Sequence, residues 1–89
     1  MSAQFNKYDL GRRNGGELVT VAVKERANVR LIDASNLRLY ERGQRYRFIG
    51  GQAVRSPVQL QVPIADHWYV VLDLGGASGT IHASVSVSR

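Results

Sequence analysis

The densest basic stretch of the chain lies between positions 38 and 55, where five of the ten arginines occur and Glu41 is the one acidic residue. A guanidinium group offers forked N–H donors that match a carboxylate or a phosphate. A double glycine in this stretch would let backbone N–H groups approach a ligand closely, and a serine adds a hydroxyl. We therefore predict an anion-binding site formed by Arg38, Arg42, Arg45, Arg47, Gly50, Gly51, Arg55 and Ser56. The alternative is a basic strand followed by an ordinary glycine turn.

This site depends on the segment RYRFI (45–49), which the sequence predicts to be a strand. Side chains alternate between the two faces of a strand, so Tyr46 and Phe48 share one face and the neighbouring arginines share the other with Ile49. Burial of each ring would contribute about 1.5–3 kcal/mol, which favours the rings facing the core and the arginines facing solvent. The segment GGQAVRS that follows is predicted to be a loop.

An aspartate and a histidine are the other candidates for chemistry. If their strands form a hairpin, Asp73 faces His82, and we expect a cross-strand ion pair that contributes about 0.2–1 kcal/mol. Nucleophile and zinc-ligand spacings such as GxSxG and HExxH are absent from the chain. The GGASG segment precedes a predicted strand, whereas phosphate-binding glycine loops precede a helix. The sequence therefore predicts no catalytic residue, no metal site and no cofactor.

Composition limits the class of protein further. The 89 residues carry a net charge of +5 and no cysteine, which excludes disulfides and thiolate chemistry. A basic chain favours anionic partners, and we expect an acidic protein surface or a phosphate-bearing ligand, with non-specific nucleic acid as an alternative. The opening MSAQFNKYDL lacks a signal-peptide pattern and no apolar run is long enough to span a bilayer, so a cytoplasmic protein is expected.

Short alternating segments separated by glycine and polar clusters are typical of an all-β protein. We predict a single β-sandwich domain over 1–89, jelly-roll-like, with about seven strands and one short helical turn near 35–42. The helical turn has a rival interpretation as a strand, because Leu37 and Leu39 also alternate with polar neighbours. The predicted strands are FNKYDL (5–10), ELVTVAVK (17–24), NVRLID (28–33), RYRFI (45–49), PVQLQVP (57–63), HWYVVLDL (67–74) and TIHASVSVS (80–88), with GRRNGG (11–16) as a loop.

The last strand, 80–88, has serine at alternate positions that should face outward and carries no lysine or arginine before its end. A flat, uncharged edge strand is suited to pairing with another strand. A homodimer through 80–88, or docking of a partner's strand, is therefore a second hypothesis, in which the protein is a structural accessory and its charge is incidental.

Four segments together resemble one family: KYDLGRRNGGE, ANVRLIDASN, GGQAVRSPVQLQVP and HWYVVLDLGGASGTIHASV. The chain is similar over residues 5–88 to a small bacterial family known as domain of unknown function 1883. The resemblance implies a compact β-sandwich, sometimes joined to Toll/interleukin-receptor-type signalling domains. It implies no activity, cofactor or catalytic residue. From the residues themselves we expect a non-enzymatic binding or interaction module.

Overall fold

Apolar side chains alternate along the strands of this chain, and the strands form two antiparallel sheets that pack face to face. The computed structural model describes residues 5–53, 55–75 and 79–89. Within them the elements are β1 (Phe5–Arg13), β2 (Leu18–Val23), β3 (Ala27–Asp33), α1 (Ala34–Glu41), β4 (Ile49–Ala53), β5 (Val58–Gln61), β6 (Asp66–Asp73) and β7 (Ala83–Ser88). The first sheet has the strand order β1-β6-β3-β4 and the second has the order β5-β2-β7. The predicted all-β sandwich with seven strands and a short helix is confirmed.

The main core lies between the two sheets and follows the period-2 pattern of the strands. Its central side chains are fully buried and are contributed by both sheets: Val19, Val21, Val29, Leu31, Val62, Val70 and Leu72. The predicted central position of the HWYVVLDL strand is confirmed, because β6 pairs with β1 on one side and with β3 on the other.

A second, smaller core lies on the outer face of the four-stranded sheet, beneath α1. Ile32, Leu37 and Val71 are buried there, and the rings of Tyr40 and Tyr46 pack against them. The two tyrosine rings meet edge to face with their centroids 5.0 Å apart. Gly43, at φ +72°, ends the helix where its N–H bonds the carbonyl of Tyr40, so the helical interpretation of this segment is correct.

The strand predicted at 45–49 is wrong, because residues 45–48 have no strand partner and only Ile49 begins β4. The N–H of Arg47 bonds the side-chain oxygen of Asn36 on α1 at 2.7 Å, where a ladder bond would otherwise form. As a result Phe48 is 44% exposed and Ile49 packs against the main core, opposite to the prediction for both residues. Tyr46 is half-buried, as its predicted inward position requires.

The loop predicted for the double glycine is also wrong, because Gly50 and Gly51 belong to β4 and pair with β3. Gly50 has φ +108°, and a Cβ at that position would overlap the carbonyl oxygen of Val29. Only glycine fits there, and the reason is close packing of two strands. The loop predicted at GRRNGG (11–16) is also wrong in its first half, because β1 continues to Arg13 through a register shift after Asp9.

Candidate functional site

Two large apolar side chains stand out on the surface, Phe48 at 44% and Ile64 at 61% exposure. Both line the same cleft, which has a volume of about 420 Å³. The remaining apolar lining comes from Ile49, Pro63 and Trp68. Exposed apolar side chains that converge on one concave site are unusual for a solvated surface, which makes this cleft the candidate site.

The floor of the cleft is rigid because Trp68 holds its neighbouring loop. Trp68 lies on β6 and is only 5% exposed, so its indole ring is part of the main core. Its Nε1–H donates to the carbonyl of Ile64 at 3.0 Å, which ties the β5–β6 connection to the sheet. The exposed side chain of Ile64 is therefore presented from a backbone that is held in place.

The polar wall of the cleft is organised by Asn36 on α1. Its Nδ2 donates to Asp33 Oδ1 at 2.7 Å and its Oδ1 accepts the N–H of Arg47 at 2.7 Å. These two bonds fix the loop after the helix relative to the end of β3. The guanidinium of Arg47 is left exposed at the rim, and it takes part in none of the ion pairs found between described residues.

Phe48 is supported from behind by a buried charge network. The guanidinium of Arg30 lies 5.3 Å from the centre of the Phe48 ring, within the range of a cation–π contact. On its other side Arg30 donates through Nη1 to Asp73 Oδ2 at 2.5 Å. Arg30 therefore links the Phe48 ring to the carboxylate of Asp73 on β6.

Asp73 is a buried carboxylate with several donors. Besides Arg30, it accepts bonds from Asn28 Nδ2 at 2.8 Å, the N–H of Gly75 at 2.9 Å and the hydroxyl of Tyr40 at 3.2 Å. Burial alone would raise the pKa of Asp73, but the bonds from Asn28 and Gly75 and the charge of Arg30 outweigh it and hold the pKa below its usual value. Burial, with the nearby Asp73 charge, raises the pKa of Tyr40 to about 12.

The residues of the predicted anion site do not form one cradle around the double glycine. Arg38 lies on α1, while Arg42 and Arg45 follow it, and all three are exposed. Arg47 lines the cleft described above, whereas Arg55 and Ser56 line a separate cavity of about 170 Å³. Ser56 also uses its Oγ to accept the N–H of Val23 at 2.9 Å. Anion binding by these residues stays a prediction, with Arg47 as the member that borders the larger cavity.

The predicted ion pair between Asp73 and His82 is wrong, because β6 and β7 belong to different sheets and never form a hairpin. His82 instead pairs through Nδ1 with Glu25 at 2.5 Å, and the hydrogen bond from His82 lowers the pKa of that carboxyl. A second exposed pair joins His67 to Asp9 at 2.6 Å; the N–H of Gly11 and then His67 lower the pKa of Asp9. Within the described ranges, no group of three or more His, Cys, Asp or Glu side chains is arranged to hold a metal ion.

The cleft itself was missed by the sequence prediction, although one signal pointed to it. Ile64 follows Pro63 in the short connection between the end of β5 at Gln61 and the start of β6 at Asp66. A large aliphatic side chain in a turn has no sheet face to enter, so it is a candidate for surface exposure. The exposure of Phe48 had no such signal, because it depends on the bond between Asn36 and Arg47.

Comparison with known proteins gives one match. A family model described as Domain of unknown function (DUF1883) matches residues 3–89 of the chain. No curated protein and no solved structure matches it. The one described helix, α1, has eight residues, and none of the described part of the chain forms a helix long and apolar enough to cross a membrane.

Proposed function

The chain belongs to the family of domain of unknown function 1883, and we propose that it is a non-catalytic binding module that engages an acidic polypeptide segment at the cleft between Phe48 and Ile64. The observation that carries the proposal is the convergence of the two exposed large apolar side chains on one cavity that has Arg47 at its rim. A partner must supply two contacts: an apolar side chain for the floor of the cleft and a carboxylate for the guanidinium of Arg47.

The apolar part of the cleft supplies affinity. Full burial of a side chain such as Phe or Ile contributes about 1.5–3 kcal/mol, and roughly half of Phe48 and of Ile64 remains to be covered. A ligand that covers both therefore gains about 2 kcal/mol from this contact alone. Phe48 is already held between Tyr46 and Arg30, so little side-chain freedom is lost when it is covered.

The charged part of the cleft supplies direction. Arginine and aromatic side chains dominate the energetics of protein interfaces, and a guanidinium binds a carboxylate through two parallel bonds. The net charge of +5 attracts an acidic segment at a distance, before contact is made. Asp33 also lines the cleft and repels an acidic group, so the carboxylate of the ligand must bind at the guanidinium of Arg47.

A polypeptide segment fits this cleft better than a phosphate ligand or a nucleic acid does. A phosphate group would leave the apolar floor uncovered, and Asp33 would repel it from the interior of the cleft. Non-specific nucleic-acid binding needs a groove of positive charge that tracks the backbone, with stacked bases along it. The cleft has one arginine and one aspartate, so no groove of positive charge runs through it.

Binding is favoured over catalysis by the state of the polar groups in the cleft. The carboxylate of Asp33 is hydrogen-bonded to Asn36, and Asn36 is in turn occupied by the backbone of Arg47. The two histidine–carboxylate pairs, His67 with Asp9 and His82 with Glu25, belong to other surfaces of the sandwich and are exposed. Asp33 and Asn36 are thus engaged in bonds within the protein that hold the wall of the cleft in place.

The single tryptophan provides the assay, since Trp68 lines the cleft and its fluorescence reports on occupancy. Synthetic peptides that combine Leu or Phe with Glu should change the emission saturably, and matched peptides with Lys in place of Glu should not. Arg47→Ala should weaken binding about tenfold or more, which corresponds to loss of one charged hydrogen-bonded contact.

The matched control is Arg55→Ala, which removes the same charge from a different cavity. It should change affinity less than threefold, the size of a screened long-range effect. If both variants lose binding equally, the whole basic surface binds and the cleft does not. If heparin or single-stranded DNA binds and the acidic peptides do not, the proposed function is wrong.

A further inference from the structure

The two sheets formed by the described residues have four edge strands, and these edges are protected unequally. The edges of β4 and β5 lie against one another, where the two sheets meet. The edge of β1 is broken by the register shift after Asp9 and carries Lys7, Arg12 and Arg13. Short strands, irregular pairing and charged side chains are the usual protections against edge-to-edge pairing. The edge of β7 has none of them.

β7 is regular and uncharged along its whole length. Ala83 to Ser88 pair with β2 without a bulge, and the segment has no proline and no charged residue. Val85 and Val87 face the core while Ser84, Ser86 and Ser88 are exposed. Since the chain as a whole carries a charge of +5, an uncharged strand is where two copies approach with the least repulsion.

The hydrogen-bond pattern shows which backbone groups of β7 face outward. The N–H of Lys24 bonds the carbonyl of His82 at 3.1 Å, so these two residues form a hydrogen-bonded pair of the β2–β7 ladder. Such pairs alternate along an antiparallel ladder, which makes Ser84 and Ser86 hydrogen-bonded to β2 as well. The N–H and C=O groups of Val85 and Val87 therefore point away from β2, where no described strand lies to form hydrogen bonds with them.

The outer face of the same sheet carries no charged side chain from Leu18 to Ala22, and Lys24 lies beyond it at the end of the ladder. The register places these side chains side by side in rows across the three strands: Gln61, Leu18 and Ser88 in one row, Gln59, Thr20 and Ser86 in the next. A second copy that extends the sheet would continue these rows without bringing like charges together. The face and the edge of the three-stranded sheet thus favour the same partner, another copy of the same sheet.

We propose that two copies of this chain pair their β7 strands antiparallel, in a register centred on Ser86, and so form one continuous six-stranded sheet. This register sets Val85 opposite Val87 of the second copy, so the outward backbone groups bond each other and both valines keep facing their cores. Ser86 then faces Ser86 of the second copy as a non-hydrogen-bonded pair, with Cα atoms about 4.5 Å apart. The interface is isologous, and its closed two-fold symmetry limits assembly to a dimer.

Sedimentation of the full chain over about a hundredfold range of concentration tests the assembly, because an interface this small gives a weak dimer. Ser86→Lys places two like charges opposite each other at the symmetry axis and should lower the dimer fraction at least fivefold. Gln59→Lys adds the same charge to the same sheet face on β5, the far edge, and should leave dimerisation unchanged. A monomeric unmodified chain, or equal loss in both variants, would overturn the proposal.

A cysteine cross-link tests the register separately, and the absence of native cysteine makes the result unambiguous. Ser86→Cys should oxidise rapidly to a disulfide-linked dimer, because a Cα separation of about 4.5 Å lies within the disulfide range. Gln59→Cys, equally exposed on β5, should form dimers only at the slow rate of random collision. Equal rates for the two variants would show that β7 does not pair in this register.

Discussion

Removing the carboxylate of Asp73 tests how much the buried ion pair beneath α1 contributes to the free energy of unfolding. Asp73 is 6% exposed and accepts bonds from Asn28, Arg30, Tyr40 and the backbone of Gly75. Asp73→Ala leaves the guanidinium of Arg30 without its carboxylate, and Arg30 Nε is already buried with no partner among the described residues. The substitution therefore converts a compensated buried charge into an uncompensated one.

The size of the effect follows from the burial of the pair. Breaking a buried ion pair by removing one partner costs about 3–5 kcal/mol. The Arg30 side chain keeps 18% of its exposure, which lets water compensate in part and places the expected loss near the lower end, at about 3 kcal/mol. Arg30→Met is expected to cost less, about 1.5–2 kcal/mol, because Asp73 keeps three other donors.

Urea unfolding at pH 7, followed by Trp68 fluorescence, measures these free energies. The double variant Asp73→Ala with Arg30→Met should lose at least 1 kcal/mol less than the sum of the single losses, because the two side chains interact directly. Asp66→Ala, on the same strand, is the control and should cost no more than about 1 kcal/mol, because it loses one local hydrogen bond to the N–H of the next residue. A loss below about 1 kcal/mol for Asp73→Ala, or additive losses in the double variant, would show that Asp73 does not compensate the buried charge of Arg30.

Three further predictions concern single residues. Gly50→Ala should destabilise the fold by more than about 3 kcal/mol in urea unfolding, because strain at positive φ adds to overlap with the Val29 carbonyl, whereas Gly16→Ala has a similar φ and open space and should cost about 1–2 kcal/mol. In an absorbance titration, one of the four tyrosines, Tyr40, should stay protonated to about pH 12. The raised pKa of Tyr40 stabilises the folded state below pH 10, and this contribution is lost as the pH rises towards 12. Tyr40→Phe should therefore reduce the decrease in the free energy of unfolding between pH 10 and pH 12. The lowered pKa of Glu25 has the opposite effect on the pH dependence of stability. Its contribution to the free energy of unfolding is present above about pH 4.5 and is lost as the pH falls, so Glu25→Gln should reduce the slope of stability against pH in that acidic range.

The sandwich was predictable because its strands obey a simple period. In β2, β5 and β7 every second side chain enters the core, so alternation alone placed Val19, Leu60 and Val85 on the correct face. The short helix was predictable from the glycine that ends it. In these segments the secondary structure favoured by the local sequence is the one that the tertiary structure contains, so the sequence alone was sufficient to predict it.

The candidate site was not predictable in the same way, because one side-chain contact redirects the chain there. Alternation in 45–49 predicts a strand, but Asn36 takes the N–H of Arg47 and turns Phe48 outward. A bond between residues 11 positions apart leaves no periodic trace. The same holds for Asp73, whose partner depends on which strands are neighbours: pairing with β3 brings it beside Asn28, where a hairpin would have brought His82.

The two proposals place binding and assembly at opposite edges of the same sheet. Pro63 and Ile64 follow β5, and β5 and β7 are the two outer strands of the three-stranded sheet. A dimer through β7 would therefore leave both clefts free, one at each end of the six-stranded sheet. Two linked clefts bind a partner with two acidic segments far more tightly than one cleft does, provided that the partner spans the distance between them. Ser86→Lys should then lower the apparent affinity for a divalent acidic peptide to that for the monovalent one, without changing the monovalent affinity. If instead Ser86→Lys weakened binding of a single segment, the cleft and the edge would be one site, and the separation argued from the strand order would be wrong.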